Sequence, residues 1–320
     1  MNTPPRPRRL GPDACPGVLS VWQAQDGGLA RVRLPGGRLA SSGLRVLAEA
    51  ATELGSGVLE LTVRGNMQVR GLARGAERDL AERLRPAGLL PSDTHERVRN
   101  IVASPCSGLC GPEVWAVVAA LDAAMIAEAD LAALPGRFLF AVDDGTCDVT
   151  ALGADVALFR GERSWEVVLG GTVPGVRVAE DQVVVAAVCA ARAFLTERQA
   201  QGSGAWRLVE LTEGPARVAA VVRAAIPTVH CAESLPPGAL VRPRLPNLGP
   251  HATPLDGRVA VVVGVPDRTL SAQAAGALVD SGAAESVRVT PWRSLLVPGL
   301  DCPGVDIVRS WAGAHGLEVV

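Results

Sequence analysis

The sequence has no tyrosine and no lysine, only four histidines and three methionines, and aromatic residues fill 3% of its 320 positions. So few rings leave no stacking platform for single-stranded nucleic acid. Charge of one sign is missing too: the net value is −2, and no overall positive field exists to hold a polyanionic duplex. Long apolar runs are absent, since Val114–Ala127 and Val183–Leu195 are broken by Asp122 and Arg192, well short of the roughly 18–20 residues of a membrane span. The basic, proline-bearing start Met1–Arg9 is not followed by the apolar stretch of a signal peptide and reads as a loose tail. These absences point to a soluble, cytoplasmic protein that binds neither nucleic acid nor membrane. Seven cysteines, an odd and scattered set, read as reduced thiols rather than a disulfide framework. What is present is apolar mass, 48% of residues against 20% charged, enough for more than one core. With no lysine, every basic side chain is an arginine, which stays charged when buried and grips carboxylates with a planar fork.

Periodicity organises the chain. A strand at Leu29–Leu34 and the turn Pro35-Gly36-Gly37 precede a helix that Ser41 and Ser42 can cap, with Leu44, Leu47, Ala48, Ala51 and Leu54 on one face and Gly55 as its stop. Alternation then predicts a half-buried strand over Gly57–Leu72, with Leu59, Leu61, Val63, Met67 and Val69 inward. The same order returns as a strand at Val259–Val265, a helix at Ser271–Val279 and a strand at Ser286–Val297. An offset of 228 lays Thr62, Val69, Gly71 and Leu72 on Thr290, Val297, Gly299 and Leu300. Between the copies the pattern predicts helices at Glu113–Ala127, Asp181–Arg198 and Pro215–Ala225, and strands at Arg137–Val142, Val156–Phe159 and Glu166–Leu169. Gly202-Ser203-Gly204 and the Pro-rich Pro236–Pro254 read as linkers. The expected fold is α+β: two half-domains, 12–80 and 245–320, forming a pseudo-symmetric unit, a central α/β domain at 81–200, and a helix with a Pro-rich linker at 201–244.

The polar face of the 57–72 segment carries Arg64, Asn66, Gln68 and Arg70, an inventory of forked and amide donors suited to fixing several carboxylates. Arg97 and Arg99, with Asn100 beside them, form a second basic group ended by Pro105. The histidines show no ligand spacing, and Gly36-Gly37 and Gly170-Gly171 lack the context of a phosphate loop. No catalytic residue is identifiable.

Three stretches together resemble the nitrite and sulfite reductase ferredoxin-like superfamily. They are Leu61-Thr62-Val63-Arg64-Gly65-Asn66-Met67-Gln68-Val69-Arg70-Gly71-Leu72, the later Val98-Arg99-Asn100-Ile101-Val102-Ala103-Ser104-Pro105, and Arg288-Val289-Thr290-Pro291-Trp292-Arg293. The opening Cys15-Pro16-Gly17, with Asp26–Gly37 after it, looks most like the precorrin-3B synthase branch. The resemblance implies a ferredoxin-like pair with a central nitrite/sulfite reductase-like domain. It further implies a cobalamin-pathway oxygenase that hydroxylates precorrin-3A with dioxygen and forms a lactone, supplied by an electron donor. It places tetrapyrrole contacts at Arg64, Arg70, Arg99 and Arg137, with Asn66, Gln68 and Asn100 as orienting amides; Arg97 joins the same expected site through its strand spacing with Arg99. It also implies a 4Fe-4S cluster and a mononuclear iron. The family's C-x5-C and C-x3-C cluster ligands follow the second copy, where this chain has only Cys302 before Val320. Cys106 and Cys110, with Cys147, stand in the corresponding region of the first copy and are the expected alternative ligands, in an incomplete or absent cluster. Leu139, two positions after Arg137, departs from the basic residue typical of sulfite reductases. The competing readings are a non-catalytic or split tetrapyrrole-binding relative that lacks the iron–sulfur cluster, and a sirohaem-dependent nitrite/sulfite reductase.

Overall fold

The computed structural model describes residues 14–109, 111–228, 249–252 and 257–319. The described residues form two compact units, one within 15–113 and 249–319, the other within 114–228. The first of these units includes residues 81–113, which the sequence reading groups with the central domain.

The first half-domain begins with β1 (Trp22–Ala24) and β2 (Gly27–Val32), paired antiparallel. Alternation buries Ala30 and Val32 in the core and sends Arg31 and, just past the strand, Arg33 to the opposite face. A tight turn leads to β3 (Arg38–Ala40) and α1 (Ser41–Leu54), which buries Leu44, Leu47, Ala48 and Ala51 as its period predicts. Ser41 does not cap this helix, because its hydroxyl donates instead to the Ala284 carbonyl of the other half-domain.

The expected strand over 57–72 is a hairpin: β4 (Val58–Leu61) and β5 (Met67–Leu72) pair antiparallel, Leu61 opposite Met67. Between them the chain turns at Gly65, whose φ is +65°. A Cβ there would stand 2.8 Å from the Val289 carbonyl oxygen, so only glycine fits. Val63, expected inside, is 51% exposed at the turn. The helix α2 (Glu77–Leu84) and the short β6 (Ile101–Ala103) follow.

In the other unit α3 (Trp115–Ala127) precedes β7 (Phe140–Asp143), β8 (Val156–Arg160), β9 (Trp165–Leu169) and β10 (Thr172–Val178), then α4 (Val183–Ala200) and α5 (Gly214–Ala225). These strands lie in the order β10-β9-β8-β7, with β7 and β8 parallel and the other neighbours antiparallel. The strand expected from Arg137 starts at Phe140, because Phe138 closes a turn on Pro135 and the Leu139 N–H donates to the Asp155 carboxylate at 2.8 Å.

The second half-domain has β11 (Gly249–Ala252), β12 (Val259–Gly264), β13 (Thr269–Ser271), α6 (Ala272–Asp280), β14 (Ser286–Val289), β15 (Ser294–Leu300) and α7 (Cys302–Ala314). The strand expected over 286–297 is again a hairpin, closed as the first one is. Thr290 Oγ1 accepts the Trp292 and Ser294 N–H groups at 3.3 and 3.2 Å, as Thr62 Oγ1 accepts those of Arg64 and Asn66 at 3.4 and 3.1 Å. The two sheets run β1-β2-β5-β4-β13 and β11-β12-β15-β14-β3. Each half-domain therefore lends its third strand to the other's sheet. One continuous core, including Leu47, Leu59 and Met67 from the first half and Val261, Leu278 and Trp311 from the second, fills the space they share. The α+β pair of ferredoxin-like half-domains expected from the sequence is present. Most of the Pro-rich connection lies outside the described residues. Among the described residues no helix is long and apolar enough to cross a membrane.

Candidate functional site

The two halves share a fold but not an outer face. On β12 and β15 the outward residues Ala260, Val262 and Leu296 are apolar and packed under Leu109 and Cys106. The matching face of the first sheet is polar, carrying Arg31, Gln68 and Glu60 side by side on β2, β5 and β4. Arg31 donates through Nε and Nη2 to Gln68 Oε1 at 2.9 and 2.6 Å. Gln68 is thereby a holder of an arginine inside the sheet.

Arg70 lies further along β5. Its guanidinium reaches both Asp26 oxygens at 2.8–2.9 Å and Glu60 at 3.0 Å, and Glu60 also meets Arg268 at 3.4 Å. The Arg70 hydrogen bond holds the Asp26 carboxyl below the usual range. This arginine is answered by the protein's own carboxylates.

At the other end of the strand the candidates converge. Asn66, 1% exposed, accepts the Leu34 N–H through Oδ1 at 2.9 Å and donates through Nδ2 to Asn100 Oδ1 at 3.4 Å. The hairpin turn that carries Arg64 is thus fastened to the segment that carries Arg97, Arg99 and Asn100. Arg33 adds a second fastening, donating through Nε and Nη2 to the Arg97 carbonyl at 3.2 and 3.1 Å. Arg99 and Asn100 are buried, while Arg64 and Arg97 are half-buried. Arg64 and Arg31 also lie close enough to Arg33 to repel its charge.

A third strap comes from Glu96, whose buried carboxylate accepts the Val18 N–H and the Leu19 N–H, the latter at 3.2–3.3 Å. A Cβ at position 17 would fall on that carboxylate, which explains the glycine after Cys15 and Pro16. Burial pushes the Glu96 carboxyl up, against the pull of those N–H groups and of Arg33 and Arg97. Neither Arg33 nor Glu96 was picked out by the sequence pattern. The alternation Arg31-Val32-Arg33 at the end of a strand was the available signal for the first, and nothing local marks the second.

Arg137 lies in the other unit, exposed, its guanidinium 5.3 Å from the centre of the Trp206 ring. Asp155 is the buried hub of that unit, accepting from Leu139 and Leu208 N–H at 2.8 and 2.6 Å and from Arg207 at 2.7 Å.

An iron–sulfur cluster needs converging thiolates, and a facial iron site needs imidazoles with a carboxylate. Among the described residues, the group of His, Cys, Asp and Glu side chains close enough to share an ion is Asp143, Asp144 and Asp148, with ligand atoms within 4.8 Å. It holds no sulfur or imidazole, and Asp143 already accepts four backbone N–H groups, from Gly145, Cys147, Val149 and Thr150. Cys106 and Cys147 sit half-buried in turns, and Cys110 lies outside the described residues. The described donors do not fit a cluster.

Three comparisons give this arrangement a context. The ferredoxin–nitrite reductase of Synechococcus elongatus is 30% identical over 165 residues, covering 47% of this chain and 32% of that protein. The precorrin-3B synthase of a Sinorhizobium species is 41% identical over 69 residues, 22% of this chain and 15% of that one. The chain spans about a third or less of the length of these curated relatives. The structure of the Mycobacterium tuberculosis NirA protein matches 97% of this chain and 61% of its own, with a TM-score of 0.75 at 21% identity, a likeness of fold. Residues 23–87, which include the Arg31, Arg33 and Arg64 positions, match the family described as the nitrite/sulfite reductase ferredoxin-like half domain, and this chain carries that half domain.

Proposed function

We propose that this protein binds a tetrapyrrole fringed with acetate and propionate arms on the arginine-bearing end of its first half-domain. On that ligand it acts as an oxidoreductase of the precorrin-3B synthase kind, hydroxylating precorrin-3A with dioxygen and closing a lactone, with electrons from a separate donor. The observation that carries the binding half is the fastening of the Arg64 turn to the Arg97–Asn100 segment by the buried Asn66–Asn100 contact. Several permanently charged forks are held there on rigid elements, which is what recognition of several fixed carboxylates requires. The oxygenase half is supported by the 41% identity to a precorrin-3B synthase over 69 residues. Incubating the protein with precorrin-3A, a reductant and ¹⁸O₂ tests it. Label appearing in a lactone product by mass spectrometry is the expected result, and unchanged precorrin-3A overturns the reading.

A second reading, a sirohaem-dependent reductase, is favoured by the longer match of 165 residues to a ferredoxin–nitrite reductase. A strong visible haem band on purification and ammonia formed from nitrite with reduced methyl viologen would establish it in place of the first.

A further inference from the structure

We propose that Arg33 is an anion receiver built into the first half-domain, its Nη1 taking one carboxylate of the bound ligand beside Arg64. The proposal rests on the tetrapyrrole reading and names a contact within it. Alternation in β2 turns Arg33 away from the core, yet the residue is only 3% exposed. Two of its three nitrogens are used on the Arg97 carbonyl. The third, Nη1, is buried with no hydrogen-bond partner among the described residues.

An unmet N–H on a buried charge is costly, and the surroundings worsen it. Burial, with the positive charges of Arg31 and Arg64 adding to it, pushes the Arg33 guanidinium down to about 9. Cys15 and Glu96 oppose this shift, but the Glu96 carboxylate is committed to the Val18 and Leu19 N–H groups. Arg31, two residues back, likewise gives its Nε and Nη2 to one acceptor, Gln68 Oε1, but it is only half-buried, whereas Arg33 is 3% exposed. A buried cation with an open N–H, repelled by two neighbours, is completed by an oxyanion. On the tetrapyrrole reading that oxyanion is a carboxylate of the macrocycle. A free inorganic anion offers the same chemistry, so the experiment separates the two.

Uroporphyrin I, an octacarboxylate porphyrin, is titrated by fluorescence into the wild type, Arg33→Lys and Arg33→Met, with thermal denaturation of each. The wild type should bind, Arg33→Met should weaken binding by about tenfold or more, and Arg33→Lys, with the charge but not the fork, should recover only part of the loss. In ¹⁵N-arginine-labelled wild type, the guanidinium signal missing from Arg33→Lys should shift on adding porphyrin. That measurement stands even if Arg33→Met fails to fold. A signal that shifts with phosphate or acetate but not with porphyrin assigns Arg33 to a free anion and overturns the proposal. Equal porphyrin affinity in wild type and variants, with the signal unmoved, overturns it while leaving the tetrapyrrole reading intact. No porphyrin binding by the wild type removes both.

Discussion

The side-chain amide of Asn66 donates to Asn100 Oδ1 across 34 residues of sequence while accepting the Leu34 N–H at 2.9 Å. One buried side chain therefore ties together the end of β2, the Arg64 turn and the Arg99 segment. Asn66→Ala leaves the buried Leu34 N–H without its acceptor and removes the hydrogen bond to Asn100, at a cost of about 1–3 kcal/mol in urea denaturation. A loss under a few tenths would mean the contact holds nothing in place.

Gly17 and Glu96 form a second such pair. Gly17→Ala drives a methyl group into the Glu96 carboxylate, so it should destabilise the protein, and it should do so less in a Glu96→Ala background. A coupling of about 0.5–3 kcal/mol is expected for side chains in direct contact. Strict additivity in the double-mutant cycle would separate the two positions.

Much of this was legible in the sequence, and the part that was not has a specific cause. The repeat at an offset of 228 is present down to its turn hydroxyls, Thr62 and Thr290, and to Gly71 and Gly299, whose φ values are +69° and +74°. The hairpin of β4 and β5 read as one long strand because its paired residues, Leu61 with Met67 and Leu59 with Val69, have the same parity. Antiparallel partners share a face, so alternation continues unbroken through the turn. Only Gly65, at positive φ, marks the reversal. The exchange of β3 and β13 between sheets leaves no trace in a local pattern, nor does the choice of Gln68 for Arg31 and of a backbone carbonyl for Arg33. Those depend on which segments meet. Arg70 looked equivalent to Arg64 by spacing, and only the fold brings Asp26 and Glu60 to it.

The Glu96 carboxyl should make stability depend on pH. Burial raises its folded-state pKa above the ordinary glutamate value of 4.5. Between that value and the raised one the folded protein holds more protons than the unfolded chain, so this residue's contribution falls as pH rises through the window. Relative to Glu96→Gln, the wild type should lose stability as pH is raised from about 4.5 towards neutrality. A pH-independent difference between the two proteins would show that the carboxyl is not raised.

Arg64, Arg99 and Arg70 should separate in binding. Arg64→Ala and Arg99→Ala each remove a charged donor near the Asn66–Asn100 contact, and uroporphyrin affinity should drop about tenfold or more in each, since charge-assisted hydrogen bonds contribute about 1.5–3 kcal/mol. Arg70→Ala, whose guanidinium is held by Asp26 and Glu60, should leave affinity unchanged. Thermal melts of the three variants distinguish lost contact from lost fold. The reverse order, with Arg70 dominant, would move the site along the sheet toward Asp26.

The strand exchange predicts how the half-domains unfold. Because β3 lies in the second sheet, β13 lies in the first and α1 packs on α6, neither half can be released without opening the other's sheet. Leu47, fully buried on α1, serves as the perturbation, and Leu47→Ala should cost about 2–5 kcal/mol. In protein labelled with 5-fluorotryptophan, Trp22 on β1 reports the first half and Trp311, whose Nε1 donates to the Ala274 carbonyl at 2.8 Å, reports the second. Both fluorine signals should disappear at one urea concentration, and Leu47→Ala should lower that concentration equally for both. If the Trp311 signal survives after the Trp22 signal has gone, the halves fold separately and the exchanged strands are only an ornament on two independent cores.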